Sequence, residues 1–271
     1  MRIASLHTYP IKGCHRLDHD GAEVEPWGLA GDRRWLLTQP DGQALTQRDT
    51  PLLTQLQPLP EPDGGLTVRG AGRPELRVPR PGGKELIDVT VWKSTMAASR
   101  AGDAADEWFG DVLGRPVRLV WLDDPTRRPI DPAYSTPTDR VSFADDYPLL
   151  LANAASLDAL NGWLLESGDV EGPLPMTRFR PNVVVTGAQP WAEDDWVGRR
   201  IRIGDVVFRA VKPCGRCVVT TIDQESGEKG RQPLHVLGKH RNVDQGLLFG
   251  LNLIPDGTGK IAVGDPLEPL S

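Results

Sequence analysis

Apolar and polar positions alternate over short stretches through most of this chain, and a helical period appears only twice in strength. Between residues 1 and 100 the pattern is that of strands. The stretch "RIASLHTYP" alternates, and "DRRWLLT" and "QALTQ" flank Pro40-Asp41-Gly42, which predicts a hairpin over Arg33–Gln47. Three further strand candidates, "LTVRG", "ELRVP" and "LIDVTVW", lie between Gly/Pro clusters. The first helix is predicted at about 103–113. There Ala105, Trp108, Phe109 and Val112 share a face, Asp103 is placed to cap the start and Gly114 to end it. The stretch "PVRLVWL" then reads as a strand.

Residues 123–140, "DDPTRRPIDPAYSTPTDR", are polar, Pro-rich and without a period, so they read as a linker or long loop. After them "YPLLLAN" reads as a buried strand. A helix is predicted near 156–166, with Ser156 as N-cap and Leu157, Leu160 and Leu164 as its apolar stripe. The stretches "NVVVTG", "RRIRIGDVVFRAV", "RCVVTTID", "GLLFGLNLI" and "KIAVGDPLEP" follow as strands, with Gly-Asp turns in "IGDVVF" and "VGDPLE". Many short strands with few helices predict a mainly β chain of α+β class, built on β-barrels. Trp27, Trp35 and Trp92 are expected to pack inside them, and His235 and His240 to lie on a solvated helix surface.

Composition narrows the function. The chain has 271 residues, enough for one large core or two smaller ones, and 29 Gly with 25 Pro fit short elements joined by turns. A net charge of −6 argues against a nucleic-acid partner, which needs a surplus of Lys and Arg. The opening "MRIASLHTYPIK" carries no apolar signal core, and no apolar run approaches the roughly 18 residues of a membrane span. Three cysteines make no disulfide framework, so a reducing, cytoplasmic setting without a membrane partner is the expectation.

Two of those cysteines stand in "KPCGRCVVTTID". Structural zinc wants four Cys or His ligands, which only Cys14 and His15 could complete with Cys214 and Cys217. A thioredoxin-type dithiol opens a helix, whereas Cys217 runs into a β-branched stretch that reads as strand. Buried packing is the bland alternative. Against it, Arg216 adjoins Cys217 and Lys212 is near, and positive charge favours a thiolate, a soft ligand for a transition metal. The residues alone leave these readings open.

A resemblance decides among them. The stretches "YPIKGC" (9–14), "GDRRWLL" (31–37), "FADDYPLLLANAASLDALN" (143–161), "FRPNVVVTG" (179–187), "WVGRRIRIGDVVFRAVKPCGRCVVTTID" (196–223) and "FGLNLI…GKIAVGD" (249–265) occur in order. Together they resemble the MOSC family, the molybdenum cofactor sulfurase C-terminal domains, and within it the amidoxime-reducing branch. The resemblance implies an N-terminal MOSC-associated β-barrel domain at 1–122, a linker at 123–140 and the MOSC β-barrel domain at 141–271. It implies a molybdenum cofactor, that is, molybdenum on a molybdopterin, with Cys217 as the metal's protein ligand and Cys214 as structural. Lys12 and Gly13 match a Lys-Ser pair that holds the pterin, Gly13 standing where relatives commonly carry Ser. Arg33 matches a cofactor-contacting arginine. Arg180 and Asn182 match residues around the pterin and its phosphate, and Arg216 joins them as a cation beside Cys217. Asp145 matches an aspartate at the metal, an acceptor or proton relay, and Asp146 stands where relatives carry Thr.

The implied reaction removes oxygen from an N-hydroxylated nitrogen of a small substrate and releases it as water. Electrons would come from a separate electron-transfer protein with its reductase, because three cysteines cannot ligate a four-Cys [2Fe–2S] centre. A non-catalytic molybdopterin or sulfur carrier is the alternative. Pyridoxal phosphate, linked to the family through the sulfurase fusion, has no aminotransferase-like domain or Schiff-base lysine to hold it here. The segments 123–140 and 224–246 are candidates for gating the substrate.

Overall fold

The computed structural model describes residues 1–70, 72–244 and 246–270. It is mainly β, with three α-helices among the described residues: α1 (Asp103–Leu113), α2 (Ala154–Glu166) and α3 (Leu234–His240). The largest sheet runs in the order Leu267–Pro269, Arg200–Ile203, Val206–Gly215, Gly246–Pro255, Leu149–Asn153, Val183–Thr186, Arg2–Thr8, Leu17–His19. Its ends are joined by an Arg2–Pro266 bridge and by bonds from Ile3 N–H to Asp265 O and from Leu267 N–H to Met1 O. The sheet therefore curls into a barrel filled by Ile3, Leu6, Leu151, Val183, Phe208 and Leu253.

The residues dictate these placements. Leu149–Asn153 is buried at every position, because one face meets the barrel interior and the other meets α2. That is why it reads as a continuous apolar run. It pairs in parallel with Val183–Thr186, and α2 forms the crossover between them. A second sheet, Trp35–Thr38, Arg118–Trp121, Ser94–Arg100 and Leu86–Val91, packs with α1 around Leu37, Phe109 and Leu119. The predicted hairpin about Pro40-Asp41-Gly42 is present, with Leu45 N–H bonded to Leu37 O. Strand Arg2–Thr8 belongs to the barrel, and Gly21–Glu25 pairs with Gly259–Ala262, so the first 29 residues are woven into the C-terminal half.

Three expectations are corrected. Asp103 is the first residue of α1, not its cap; Gly102 holds that position and Asp103 pairs with Arg100 instead. Asn153, not Ser156, caps α2 by accepting from Ala155 N–H, and Ser156 is buried and donates to Glu193. The stretch after Cys217 is not a strand: Val218–Thr221 is a short 3-10 helix with Cys217 at its head. Thr220 and Thr221 hydroxyls donate back to the Cys217 and Val218 carbonyls, both at 2.9 Å. Such local bonds compete with the ladder and override β propensity.

Two irregularities in the Val206–Gly215/Gly246–Pro255 pairing frame the cysteine loop. Val211 is an extra residue on one strand, and Phe249-Gly250 oppose Cys214 alone on the other. Bulges re-aim side chains next to sites. Gly250 has φ +83°, and a Cβ there would lie 2.7 Å from Leu151 O. Gly250→Ala should therefore cost about 1–3 kcal/mol. Urea unfolding would check this, and a variant as stable as the parent would show that the bulge does not need glycine.

Candidate active site

One cleft of about 310 Å³ opens between the barrel and the second sheet. All nine residues singled out above line it: Lys12, Gly13, Arg33, Asp145, Asp146, Arg180, Asn182, Arg216 and Cys217. They come from five separate stretches, brought together by backbone ladders. Arg33 N–H bonds Tyr9 O, Trp35 N–H bonds Pro10 O and Lys12 N–H bonds Trp35 O, at 2.9 to 3.0 Å. Phe143 N–H bonds Arg33 O, which ties the 143–147 loop to the same wall.

The guanidinium groups are arranged around Tyr9. Arg33 lies 4.4 Å and Arg180 4.1 Å from its ring centroid, and the Tyr9 hydroxyl donates to Pro181 O. Burial dominates in pushing the phenol up to about 12, against the pull of the two arginines. Arg33 pairs with buried Asp32 and donates to Asn182 Oδ1 at 3.1 Å. Arg180 donates to Gln224 Oε1 at 2.7 Å and Cys14 O at 2.9 Å, both uncharged, and burial lowers its pKa to about 10. Arg33 and Arg180 both sit at positive φ, 48° and 52°. Non-glycine residues rarely do so, and such strain gathers at functional sites.

Lys12 is 8% exposed and donates from Nζ to Asp145 Oδ1 at 2.5 Å. Burial lowers the Lys12 pKa despite that partner. Asp145 itself is exposed at the cleft; the upward push of the surrounding protein on its carboxyl is outweighed by the Lys12 charge and bond, the Trp92 N–H and Arg33, which hold it well below the usual carboxylate range. Asp145 is thus ionised, an acceptor rather than a standing acid. Asp146 is exposed on the same rim.

Two sequence arguments expected partners that the structure replaces. Asn182 needs no outside partner: Oδ1 accepts from Arg33 and Leu150 N–H, and Nδ2 donates to His7 O. Arg216 does not lie on Cys217; its Nη1 is 2.8 Å from Cys214 Sγ and its Nη2 donates to Phe179 O. Cys14 is fully buried, its thiol pushed up to about 12 by desolvation, and His15 bonds Glu225. No group of three or more His, Cys, Asp or Glu side chains among the described residues is placed to hold a metal, which removes the four-ligand zinc reading. Of the tryptophans, Trp35 packs in the core, but Trp92 is 46% exposed on the cleft. His235 and His240 lie exposed on α3, as expected.

Sequence reasoning missed the parts played by five residues. Gln47 and Gln224 form a reciprocal buried amide pair, at 3.0 and 3.1 Å, that ties the two halves under Arg180. Arg48 and Trp92 stack at the mouth, 4.5 Å apart. Behind the site, Arg128 is buried and grips the carbonyls of Ser142, Ala144 and Asp145, fixing the loop that presents Asp145. These residues carry no local signature; the 123–140 segment reads only as polar, and Pro129 in fact bridges to Arg140 within it.

Comparison with known proteins identifies the family. The profile of the "MOSC N-terminal beta barrel domain" matches residues 1–116 and that of the "MOSC domain" matches residues 138–268. The chain is 31% identical to human "Mitochondrial amidoxime-reducing component 1" over 98% of its own length and 82% of the relative's. Identity to the mouse protein of that name is 32%, over 98% and 81%. With "Molybdenum cofactor sulfurase" of rice it is 30%, over 93% of this chain but 32% of the larger relative. No helix among the described residues is long and apolar enough to cross a membrane. The two domain matches and the near full-length likeness to amidoxime-reducing components place this chain in the MOSC-domain family.

Proposed function

We propose that this protein is a molybdenum-cofactor-dependent oxidoreductase that removes oxygen from N-hydroxylated compounds. The observation that carries the reading is a cation-rich cleft with the Cys217 thiol on its wall. The residues fit a phosphate-bearing pterin. Among the described residues Arg180 and Arg216 pair with no carboxylate, and buried Arg216 Nε has no partner. An incoming phosphate would satisfy such groups through charge-assisted bonds. A single half-buried thiol suits a metal whose remaining ligands arrive with the cofactor.

In this reading Lys12, the Gly13 backbone, Arg33, Arg180 and Arg216 hold the pterin and its phosphate, and Cys217 ligates the metal. When bound, the cofactor supplies the two-electron chemistry of oxygen removal. The chain supplies orientation and protons. The net change takes the N-hydroxyl compound, two protons and two electrons to the reduced nitrogen compound and water. The Lys12 ammonium, on ionised Asp145, keeps a proton at the cleft. Arg128 fixes that loop and so the height of Asp145 above the floor. The electrons come from a separate redox protein.

Three outcomes test this. Cys217→Ala should lose molybdenum and all turnover of a simple amidoxime, whereas Cys214→Ala keeps most of both; equal loss from both would point to a paired-thiol site. Arg180→Ala should weaken pterin retention about tenfold or more, roughly 1.4 kcal/mol, read as pterin per chain after dialysis. Asp145→Asn should lower kcat about tenfold or more with molybdenum content unchanged, since Lys12 loses its counter-charge. Molybdenum-loaded protein that turns over no N-hydroxylated compound would favour a carrier instead.

A further inference from the structure

The mouth of the cleft holds a feature that the reading above leaves unused. Trp92 stands at the tip of the hairpin Leu86–Val91/Ser94–Arg100, in a two-residue turn whose ends are the paired Val91 and Ser94. Its φ is +56°, a conformation that costs a bulky L-residue about 1–2 kcal/mol. Core packing does not offset this, because nearly half of the residue is exposed. What holds the ring is the cleft itself. Its Nε1–H donates 3.0 Å to Asp145 Oδ1, and the Arg48 guanidinium lies 4.5 Å from its centroid.

Arg48 is the second half of the observation. Its backbone is fixed: the N–H bonds Thr46 Oγ1, and the carbonyl accepts from Lys229 Nζ at 2.8 Å. Its neighbour Gln47 is locked in the buried amide pair. Yet its side chain makes no hydrogen bond, and no carboxylate lies within ion-pair distance among the described residues. The aromatic ring attracts the charge but accepts none of the guanidinium N–H groups in the usual way, so they remain available to an oxygen acceptor. The Lys229 ammonium adds a second positive charge at the same rim. Of the two cleft carboxylates, Asp145 is already matched by Lys12.

We propose that Arg48, held over the Trp92 ring, is a subsite for an anionic oxygen group on the substrate, remote from the nitrogen that reacts. The preferred substrates are then planar N-hydroxylated compounds carrying a carboxylate or a phosphate. The planar part lies along the aromatic wall and the anion meets the open fork of Arg48. This rests on the function proposed above and adds the substrate class.

The test compares benzamidoxime with its 4-carboxylate, using holoprotein and a chemical electron donor. The parent should show a KM at least about tenfold lower for the carboxylate, and added salt should erase that preference. Arg48→Met should raise KM for the carboxylate about tenfold with kcat within about twofold, and leave benzamidoxime unaffected. Arg48→Lys should restore part of the preference, because a point charge replaces a fork. Equal KM changes for both compounds, or loss of molybdenum from Arg48→Met, would overturn the proposal, since Arg48 would then serve the cofactor or the fold. If the loaded parent reduces neither compound, the reaction assigned above fails. Calorimetric binding of the carboxylate to parent and Arg48→Met then still decides the subsite, and unchanged affinity rejects it.

Discussion

Two buried guanidinium groups share one phenol ring at the junction of the halves, and the cleft is built outward from that cluster. Arg33 and Arg180 approach Tyr9 to within 4.4 and 4.1 Å of its centroid. Each buried charge costs several kcal/mol of desolvation unless matched. Asp32 matches only Arg33, and the ring faces contribute about 1–2 kcal/mol apiece. Arg180 is left with the Gln224 side-chain oxygen and a backbone carbonyl. The cluster therefore holds net positive charge in a low-dielectric place, which is the electrostatic condition for an anion site.

That cluster also sets which parts of the chain must fold together. Arg33 follows the wall made by residues 9–12, Arg180 precedes the barrel strand Val183–Thr186, and Asn182 joins the two by accepting from Arg33. Gln47 and Gln224 extend the link from the second sheet to the loop behind Cys217. The profile matches divide the sequence into two stretches, while the barrel takes its strand Arg2–Thr8 from the first of them. Opening the cleft by separating rigid halves would break this weave. Movement at the mouth is cheaper, since Arg48, Trp92 and the exposed Asp146 rim depend on few buried contacts.

The cysteine loop follows a different logic. Two bulges, at Val211 and opposite Cys214, bend the ladder, which ends at Gly215 just before Cys217 heads the turn at Val218–Thr221. The cation expected on Cys217 lies on Cys214 instead, and both cysteines belong to the cleft wall. In a cysteine pair three residues apart, this asymmetry gives the Arg216 contact to one sulfur and not to the other.

The sequence by itself determined the strands, the helix positions and the turn at Pro40-Asp41-Gly42, because side-chain period and turn chemistry are local. Through motif resemblance it also named nine residues that all fall on the cleft wall, though not Gln47 or Arg48 beside them. It could not assign caps, since Asp103 and Ser156 have the right chemistry one or more positions too late, and the neighbouring backbone decided. It misread "VVTTI", where threonine hydroxyls bonded to nearby carbonyls outcompete a β-branched preference. The partners of Arg216 and Asn182, the ionised state of Asp145, and the exposure of Trp92 were decided by tertiary structure alone. Apart from the Arg216–Cys214 contact, each depends on groups 30 or more residues away in the chain, and no local pattern encodes which distant charge or carbonyl will arrive.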